Sequence, residues 1–267
     1  MSTTTALPTD IDGVIERLQA IIKDCIRRQD RLGYFAALYE RVTRSVKEGI
    51  AKGEFDDGAR MERLDVIFAN RYIAAYDAYR SGELPSIAWF RAFNAAQSDG
   101  HIVLQHLLAG MNAHINLDLG IAAARTCAGS AILGLQKDFD RINSVLARLT
   151  PIVEQQIDHL SPVFDGLTRI APKLELRMVG FSMDKARATA WAFARELAPL
   201  RHLPQVARMA QRDAEAALVA QAVLSDGLVV RLIREHESRD VGHNIQVLAA
   251  GEFRNTVPPL IGVTPVR

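Results

Sequence analysis

Hydrophobic residues recur at helical spacing along most of this chain. From Asp10 to about Gly251 they return every three or four positions, and the alternating Val, Ile and Thr pattern of strands is nearly absent. In the first such segment Ile15, Leu18 and Ile22 lie on one stripe, and Asp10 stands where an N-cap residue is expected. The pattern therefore predicts an all-α protein.

Capping residues, glycines and prolines divide this pattern into about ten or eleven helices. The predicted ranges are Ile11 to Arg28, Tyr34 to Ala51, Asp56 or Asp57 to Arg80, a short helix after the N-cap Ser86, Ile102 to Ala124, Gln136 to Leu149, Pro151 to Leu160, a short helix to Ile170, Asp184 to Ala198, Pro204 to Leu224 and Leu228 to Ala250. No repeat or linker separates them, so we predict a single compact multi-helix domain over residues 10–251. Residues 1–9 are predicted to be disordered, and the Pro-containing residues 252–267 to form an extended tail.

The segment from Ile102 to Ala124 is apolar on every side of a helical wheel, which is typical of a helix buried in the centre of a protein. The polar residues set into it are His106, Asn112, His114, Asn116 and Asp118. A buried polar group without a partner costs about 1–3 kcal/mol. We therefore expect neighbouring helices to supply partners for these side chains.

His114 and Asp118 lie one turn apart on one face of this helix, and His106 lies two turns before His114. Histidine and carboxylate side chains at such spacing can reach one point beside a helix, as the ligands of a zinc site do. Three interpretations remain open. The residues form a hydrogen-bonded network with an arginine, they bind a divalent metal such as zinc, or they form a metal-free catalytic or ligand-binding site.

Charged residues in two other apolar stripes are candidate members of the same site. Asp65 and Arg71 lie at the edges of the stripe on the third helix, and Glu237 lies inside the stripe of the last one. We expect Asp65 to be a further metal ligand, Glu237 to be an acid or base, and Arg71 to orient a carboxylate or bind an anionic group. The alternatives are that Asp65 and Arg71 reach water at the rim, and that Glu237 is paired with Arg71 or a similar cation.

Two further groups of polar residues have weaker interpretations. His236, Asp240 and His243 share a face, but it lies away from the apolar stripe, so we expect it to be solvated and not a zinc site. Of Asp138 and Asp140, one is expected to cap its helix while the other faces solvent. Neither group changes the choice of the central helix as the candidate site.

Composition excludes several classes of protein. The 32 Lys and Arg residues balance 31 Asp and Glu residues, which argues against nucleic-acid binding. Only two cysteines occur, about a hundred positions apart, as is usual in a reducing cytoplasm. No apolar run reaches the roughly 18 residues of a membrane span, so we expect a soluble, cytoplasmic protein without a transmembrane segment. The phosphate-binding and nucleophile motifs of nucleotide-binding enzymes and serine hydrolases are missing from the sequence.

Four stretches together resemble a family of helical proteins from bacteria and fungi that is known only as a domain of unknown function. They are RLDVIFANRYIAAYD (63–77), QHLLAGMNAHINLDLGIA (105–122), DFDRIN (138–143) and REHESRDV (234–241). The resemblance spans about residues 60 to 250, and GMNAHINLDLG is its most specific element. The family has no established activity, so the resemblance implies no catalytic role for any residue.

The functional hypothesis from these patterns is a metal-dependent, hydrolase-like enzyme that acts on a small or apolar substrate. The competing hypothesis is a non-catalytic helical ligand-binding or scaffold protein, in which the His, Asp and Arg residues form a buried structural network. A small molecule is the expected partner in the enzyme and in the ligand-binding protein. The patterns do not indicate the oligomeric state.

Overall fold

The described fold is built from helices alone. The computed structural model describes residues 6–163 and 183–250, and no strand occurs among them. The first six α-helices are α1 (Ile11–Arg28), α2 (Gly33–Ala51), α3 (Gly58–Ser81), α4 (Ile87–Ala95), α5 (Val103–Asn112) and α6 (Gly120–Thr126), with a π-helix (Ala113–Leu119) between the last two. A 3₁₀ helix (Gly129–Leu135) leads to α7 (Gln136–Leu160), and the remaining helices are α8 (Met183–Leu197), α9 (His202–Val223), α10 (Leu228–His236) and α11 (Val241–Ala249). The all-α prediction is confirmed.

Side-chain caps begin several helices at the predicted positions. The Asp10 carboxylate accepts a hydrogen bond from the backbone N–H of Gly13 at 2.7 Å, and the Ser86 hydroxyl accepts one from that of Trp89 at 3.3 Å. Asp57 caps α3 in the same way. Each cap satisfies a backbone donor that the first turn of a helix leaves without a partner.

Helices α5, π and α6 run without interruption and form the central helix. All residues from 112 to 124 are buried, as the apolar pattern predicts. Helices α2, α3, α4, α8 and α9 surround them. Two glycines allow close packing: a methyl group on Gly110 would lie 2.6 Å from the Phe35 ring, and one on Gly120 would lie 2.5 Å from Phe193.

Helix α11 closes the structure against the first two helices. It packs on α1 and α2, and the backbone N–H of Gly242 donates to the side-chain oxygen of Gln29 at 2.9 Å. On α7, the Gln156 side chain donates to the carbonyl of Val247 at 2.7 Å and accepts from Arg41 at 2.7 Å. One buried amide thus joins α2, α7 and α11.

The predicted helix boundary at Pro151 is wrong, because α7 continues through it. Proline removes one backbone hydrogen bond, but the apolar stripe does not change direction there. Ile142, Leu146, Val153 and Ile157, on both sides of the proline, line the same cavity. Packing of this stripe therefore outweighs the single lost bond.

The predicted helix from Leu228 to Ala250 is two helices, because α10 ends at His236 and α11 begins at Val241. The backbone N–H of Ser238 donates to the carbonyl of Leu160 at 3.1 Å. Asp240 then caps α11 by accepting from the N–H of His243 at 2.9 Å. His236 and Asp240 are exposed, as expected for their face.

Some predictions fall outside the described residues, namely the short helix to Ile170, the tail from 252 and the first five positions. Within the described N-terminal part, the carbonyl of Pro8 accepts a hydrogen bond from Asn70 at 2.8 Å. No single described helix is long and apolar enough to cross a membrane. Helices α9 and α10 would meet that test only together, across a bend of 70°.

Candidate functional site

A cavity of about 650 Å³ lies beside the central helix. Residues of α2, α3, α5, α7 and α8 and of the π-helix form its wall, and 20 of the 27 lining residues are Phe, Leu, Ile, Val or Met. Small-molecule sites in proteins combine an apolar wall with a few polar groups, at volumes of about 300–1,000 Å³. The cavity has the size and the surface of such a site.

Three buried polar side chains on this wall come from three different helices. They are Tyr39 on α2, Asp65 on α3 and His114 on the π-helix, and we call them the polar cluster. The Tyr39 and His114 rings are 4.2 Å apart between centroids. Phe68, one turn after Asp65, stacks on the imidazole of His114 at 3.5 Å. The sequence predicted Asp65 and His114 as members of one site, whereas Tyr39 was missed because its helix is hydrophobic around it.

Four polar atoms of the polar cluster have no hydrogen-bond partner among the described residues. They are the Tyr39 hydroxyl, Oδ2 of Asp65 and the two ring nitrogens of His114. Burial raises the pKa of the Asp65 carboxyl to about 7, and the charge of Glu62 adds to that rise. Burial holds the pKa of His114 well below its ordinary value, and the charge of Arg71 lowers it further. Burial also raises the pKa of the Tyr39 phenol well above its ordinary value, and the nearby Thr43 side chain opposes that rise. Near pH 7 the phenol and the imidazole are therefore neutral, and the carboxyl is close to its titration midpoint.

Asp118 lies behind the polar cluster and is fully buried. It accepts a hydrogen bond from Nε of Arg71 at 2.5 Å and one from Nε1 of Trp89 at 2.7 Å. Burial raises the pKa of this carboxyl, and these two bonds oppose the rise. Nδ1 of His114 is 4.0 Å from Oδ2 of Asp118, which is too long for a hydrogen bond. The network with an arginine is therefore present, but His114 is only its neighbour.

The two asparagines of the central helix find partners on α9. Asn112 donates to the carbonyl of Ala216 at 2.8 Å and accepts from Asn116 at 2.9 Å. Arg212, buried on α9, donates to the backbone carbonyl of Asn116 at 2.7 Å. Neighbouring helices thus satisfy the asparagines and Asp118 as expected, but not the histidines.

His106 lies apart from the polar cluster. Its ring contacts are with Tyr34 at 5.6 Å and His101 at 5.9 Å, and it does not line the cavity. Burial lowers its pKa to about 3. Within residues 6–163 and 183–250, no group of three or more His, Cys, Asp or Glu side chains could hold a metal ion. The predicted zinc site has no support in this part of the chain.

Glu237 points inward as predicted, but its partners differ from the expected ones. It follows the end of α10, accepts a hydrogen bond from the backbone N–H of Val103 at 2.8 Å, and accepts another from the Ser161 hydroxyl. Burial raises its pKa to about 7. The suggested pairing with Arg71 is wrong, because Arg71 binds Asp118. Glu237 lines a separate pocket of about 240 Å³, so it does not share a site with the polar cluster.

Asp138 is a buried residue that sequence reasoning underestimated. Its carboxylate accepts from the backbone N–H groups of Asp56 and Asp57 at 2.7 and 3.1 Å, and from Arg60 at 2.7 Å. Burial favours the protonated form, but these hydrogen bonds outweigh it and lower the pKa. The residue fixes the loop before α3, which carries Asp65. The one sequence feature that pointed to this role is the position of Asp138 in the first turn of α7.

Arg187, also missed, is a buried guanidinium on the cavity wall. It donates to the backbone carbonyl of Phe139 and to the side-chain oxygen of Asn143, and it lies over the Phe139 ring at 4.7 Å. Burial lowers its pKa to about 10, so it remains charged near pH 7. The apolar cavity thus has a cation on the α8 side as well as the polar cluster.

Fold and site together define an all-α protein with a mostly apolar cavity beside its central helix and a buried polar cluster on the cavity wall. The chain belongs to the family of unknown function DUF5995, whose model matches residues 11–226. The predicted membership of a domain family of unknown function is confirmed, while its occurrence in bacteria and fungi stays a prediction. No curated protein and no solved structure matches the chain.

Proposed function

We propose that this protein binds an apolar small molecule in the cavity beside its central helix. The observation that carries the proposal is the volume of about 650 Å³ behind a wall of aliphatic and aromatic side chains. Thr150 and Glu154 line the cavity and are exposed to solvent, so it is open on the α7 side and a ligand can enter there. A volume of this size with a mostly apolar wall and a few polar groups is typical of small-molecule sites.

Binding can be tested with N-phenyl-1-naphthylamine, a neutral apolar fluorophore whose emission rises in apolar surroundings. We expect saturable binding at one site per chain. In Leu108→Trp, a larger side chain on the cavity wall, binding should weaken at least tenfold. Leu218→Trp is the matched control, because Leu218 lies 66% exposed on α9. Equal binding to the wild type and Leu108→Trp, with both folded by circular dichroism, would refute the proposal.

A second candidate function is an enzyme that acts on the same apolar ligand. The observation that favours it is Asp65, because a buried carboxyl with a pKa of about 7 suits a general acid or base at neutral pH. Hydrolysis of p-nitrophenyl octanoate, measured with and without added Zn²⁺, tests this hypothesis. Activity that is lost in Asp65→Asn but retained in Glu237→Gln would support it. No turnover above the buffer rate under either condition would count against it.

A further inference from the structure

The polar cluster requires a ligand with a hydrogen-bonding group, whereas the apolar wall requires only an apolar one. Tyr39, Asp65 and His114 have only 3%, 7% and 4% of their surfaces exposed. The Tyr39 hydroxyl, Oδ2 of Asp65 and both ring nitrogens of His114 have no hydrogen-bond partner among the described residues. A buried polar group that stays unpaired destabilises the folded protein. A ligand that pairs with them would remove this destabilisation at several groups at once.

Tyr39 and His114 pack directly on each other, and Asp65 lies on the same cavity wall. The Tyr39 ring lies at 4.2 Å from the imidazole of His114, and the charge of Asp65 contributes to the raised pKa of the Tyr39 phenol. Phe68 holds the imidazole from the α3 side, one turn after Asp65. The cluster therefore forms one polar area of a mostly apolar wall, whose other polar residues come from α7 and α8, namely Thr150, Glu154, Asp158 and Arg187.

We propose that the cavity ligand is an apolar alcohol whose hydroxyl group lies among Asp65, Tyr39 and His114. The inference rests on the proposed binding function and names its ligand class. A hydroxyl group donates one hydrogen bond and accepts two. It can donate to a ring nitrogen of His114 or to Asp65, and it can accept from the Tyr39 hydroxyl. A long-chain or isoprenoid alcohol also supplies the apolar body that the rest of the wall requires.

Other head groups fit this cluster less well. A carboxylate would bring a second negative charge beside Asp65, and the guanidinium of Arg187 already donates to Phe139 and Asn143 on α7. An ammonium group would require Asp65 to ionise in surroundings that disfavour its charge. An alkane would leave every polar group of the cluster unpaired. For this reason, sites that hydrogen-bond a hydroxyl group discriminate by large factors against analogues that lack it.

Displacement of N-phenyl-1-naphthylamine by four ligands of equal chain length tests the proposal. The ligands are 1-dodecanol, dodecane, dodecanoic acid and dodecylamine. We expect dodecanol to bind at least tenfold more tightly than each of the others. Tighter binding of the acid would assign the head group to Arg187 and overturn the inference, as would equal binding of the alkane or the amine. If the fluorophore itself does not bind, the proposed function fails first, so the two failures are distinguishable.

Two variants test whether the preference for dodecanol depends on the polar cluster. Asp65→Leu should keep fluorophore binding and lose most of the preference for dodecanol over dodecane. Tyr39→Phe removes one oxygen atom and should weaken dodecanol binding roughly fivefold, so it keeps the test decisive if Asp65→Leu does not fold. Tyr79→Phe is its control, because Tyr79 packs on Phe90 and Phe93 away from the cavity. An unchanged preference in folded Tyr39→Phe and Asp65→Leu would refute the placement of the hydroxyl.

Discussion

At the scale of single residues, Asp118 and Asp65 are two buried carboxyl groups in opposite situations. Asp118 receives hydrogen bonds from Arg71 and Trp89. Asp65 has an oxygen without any partner among the described residues. The first carboxyl therefore stabilises the packing of the central helix, whereas the second lines the cavity with an unpaired oxygen. The two residues should respond differently to removal of their charge.

Asp118→Asn should destabilise the protein by about 3 kcal/mol, because it leaves the Arg71 guanidinium without its anion in a mostly buried place. Urea unfolding of the variant and the wild type measures the change. The control is Asp12→Asn, whose carboxylate is 67% exposed beside Lys47 and should matter by less than about 0.5 kcal/mol. An unchanged urea midpoint for Asp118→Asn would contradict the described network.

Asp65→Asn should change how stability depends on pH. The pKa of Asp65 is raised to about 7 in the folded protein from an ordinary value of 3.8. The protonated carboxyl therefore contributes stability that is complete below about pH 4 and is lost as the pH rises through 7. The wild type minus Asp65→Asn difference in unfolding free energy should fall over this range, by a few kcal/mol at most, and then level off. The buried histidines have lowered pKa values, so their contribution to the stability of the protein is lost as the pH falls. This contribution is the same in both proteins and cancels in the difference.

Glu237→Gln is the matched comparison, because burial raises the pKa of Glu237 to about 7 as well, but outside the cavity. It should show the same direction of pH dependence and leave fluorophore binding unchanged. A wild type minus Asp65→Asn difference that stays flat between pH 4 and 8 would mean that Asp65 is not buried as described.

The sequence predicted that Asp65, Asp118 and Glu237 point inward, but it did not predict all of their partners or the burial of Asp138. A helical wheel gives the direction of a side chain relative to its own helix, which was enough for Asp65, Asp118 and Glu237. It does not say which helix packs on that side. This is why Glu237 was linked to Arg71, although Ser161 and the start of α5 lie closer.

At the scale of elements, the π-helix from Ala113 to Leu119 is the feature that the periodic pattern could not predict. A π-helix has i→i+5 hydrogen bonds, is rare, and frequently occurs at functional sites. Neither glycine nor proline lies within it, and its apolar residues follow the same pattern as in an α-helix. It carries both His114 and Asp118, so the segment found by the apolar pattern is the correct one, although its backbone geometry differs.

Gly120, just after the π-helix, provides a test of this packing. A methyl group there would lie 2.5 Å from Cδ1 of Phe193 and 2.9 Å from the carbonyl oxygen of Ala190 on α8. Gly120→Ala should therefore cost about 1–3 kcal/mol, measured by urea unfolding. Gly134→Ala is the control, because its methyl group would only touch Arg60 at 3.8 Å. Equal midpoints for the two variants would show that α8 can move away at little cost.

At the scale of the whole molecule, the cavity should couple ligand binding to stability. A ligand that binds only the folded state stabilises it by about 2.7 kcal/mol at 100 times its Kd. N-phenyl-1-naphthylamine at that concentration should raise the Tm of the wild type by several degrees, measured by calorimetry. In Leu108→Trp the same concentration should give a much smaller shift. A rise of equal size in both proteins would indicate binding outside the cavity.

The helical class and most helix boundaries could be predicted because they depend on local periodicity and caps. The cavity could not, because it is bounded by side chains from helices far apart in the sequence. The apolar residues of α7 that line it look like ordinary core residues in the sequence. A space between helices leaves no local pattern, and only the packed structure reveals it.

The contact of α11 with the first two helices has a consequence for synthesis on the ribosome. Gln29 and Gly242, which form a hydrogen bond, are 213 positions apart. At about 5–20 residues per second, the second residue follows the first after roughly 10 to 40 s. During this time the nascent α1 and α2 have apolar surfaces that α11 will later cover. The early part of the chain therefore reaches its final packing only after the residues of α11 have been made.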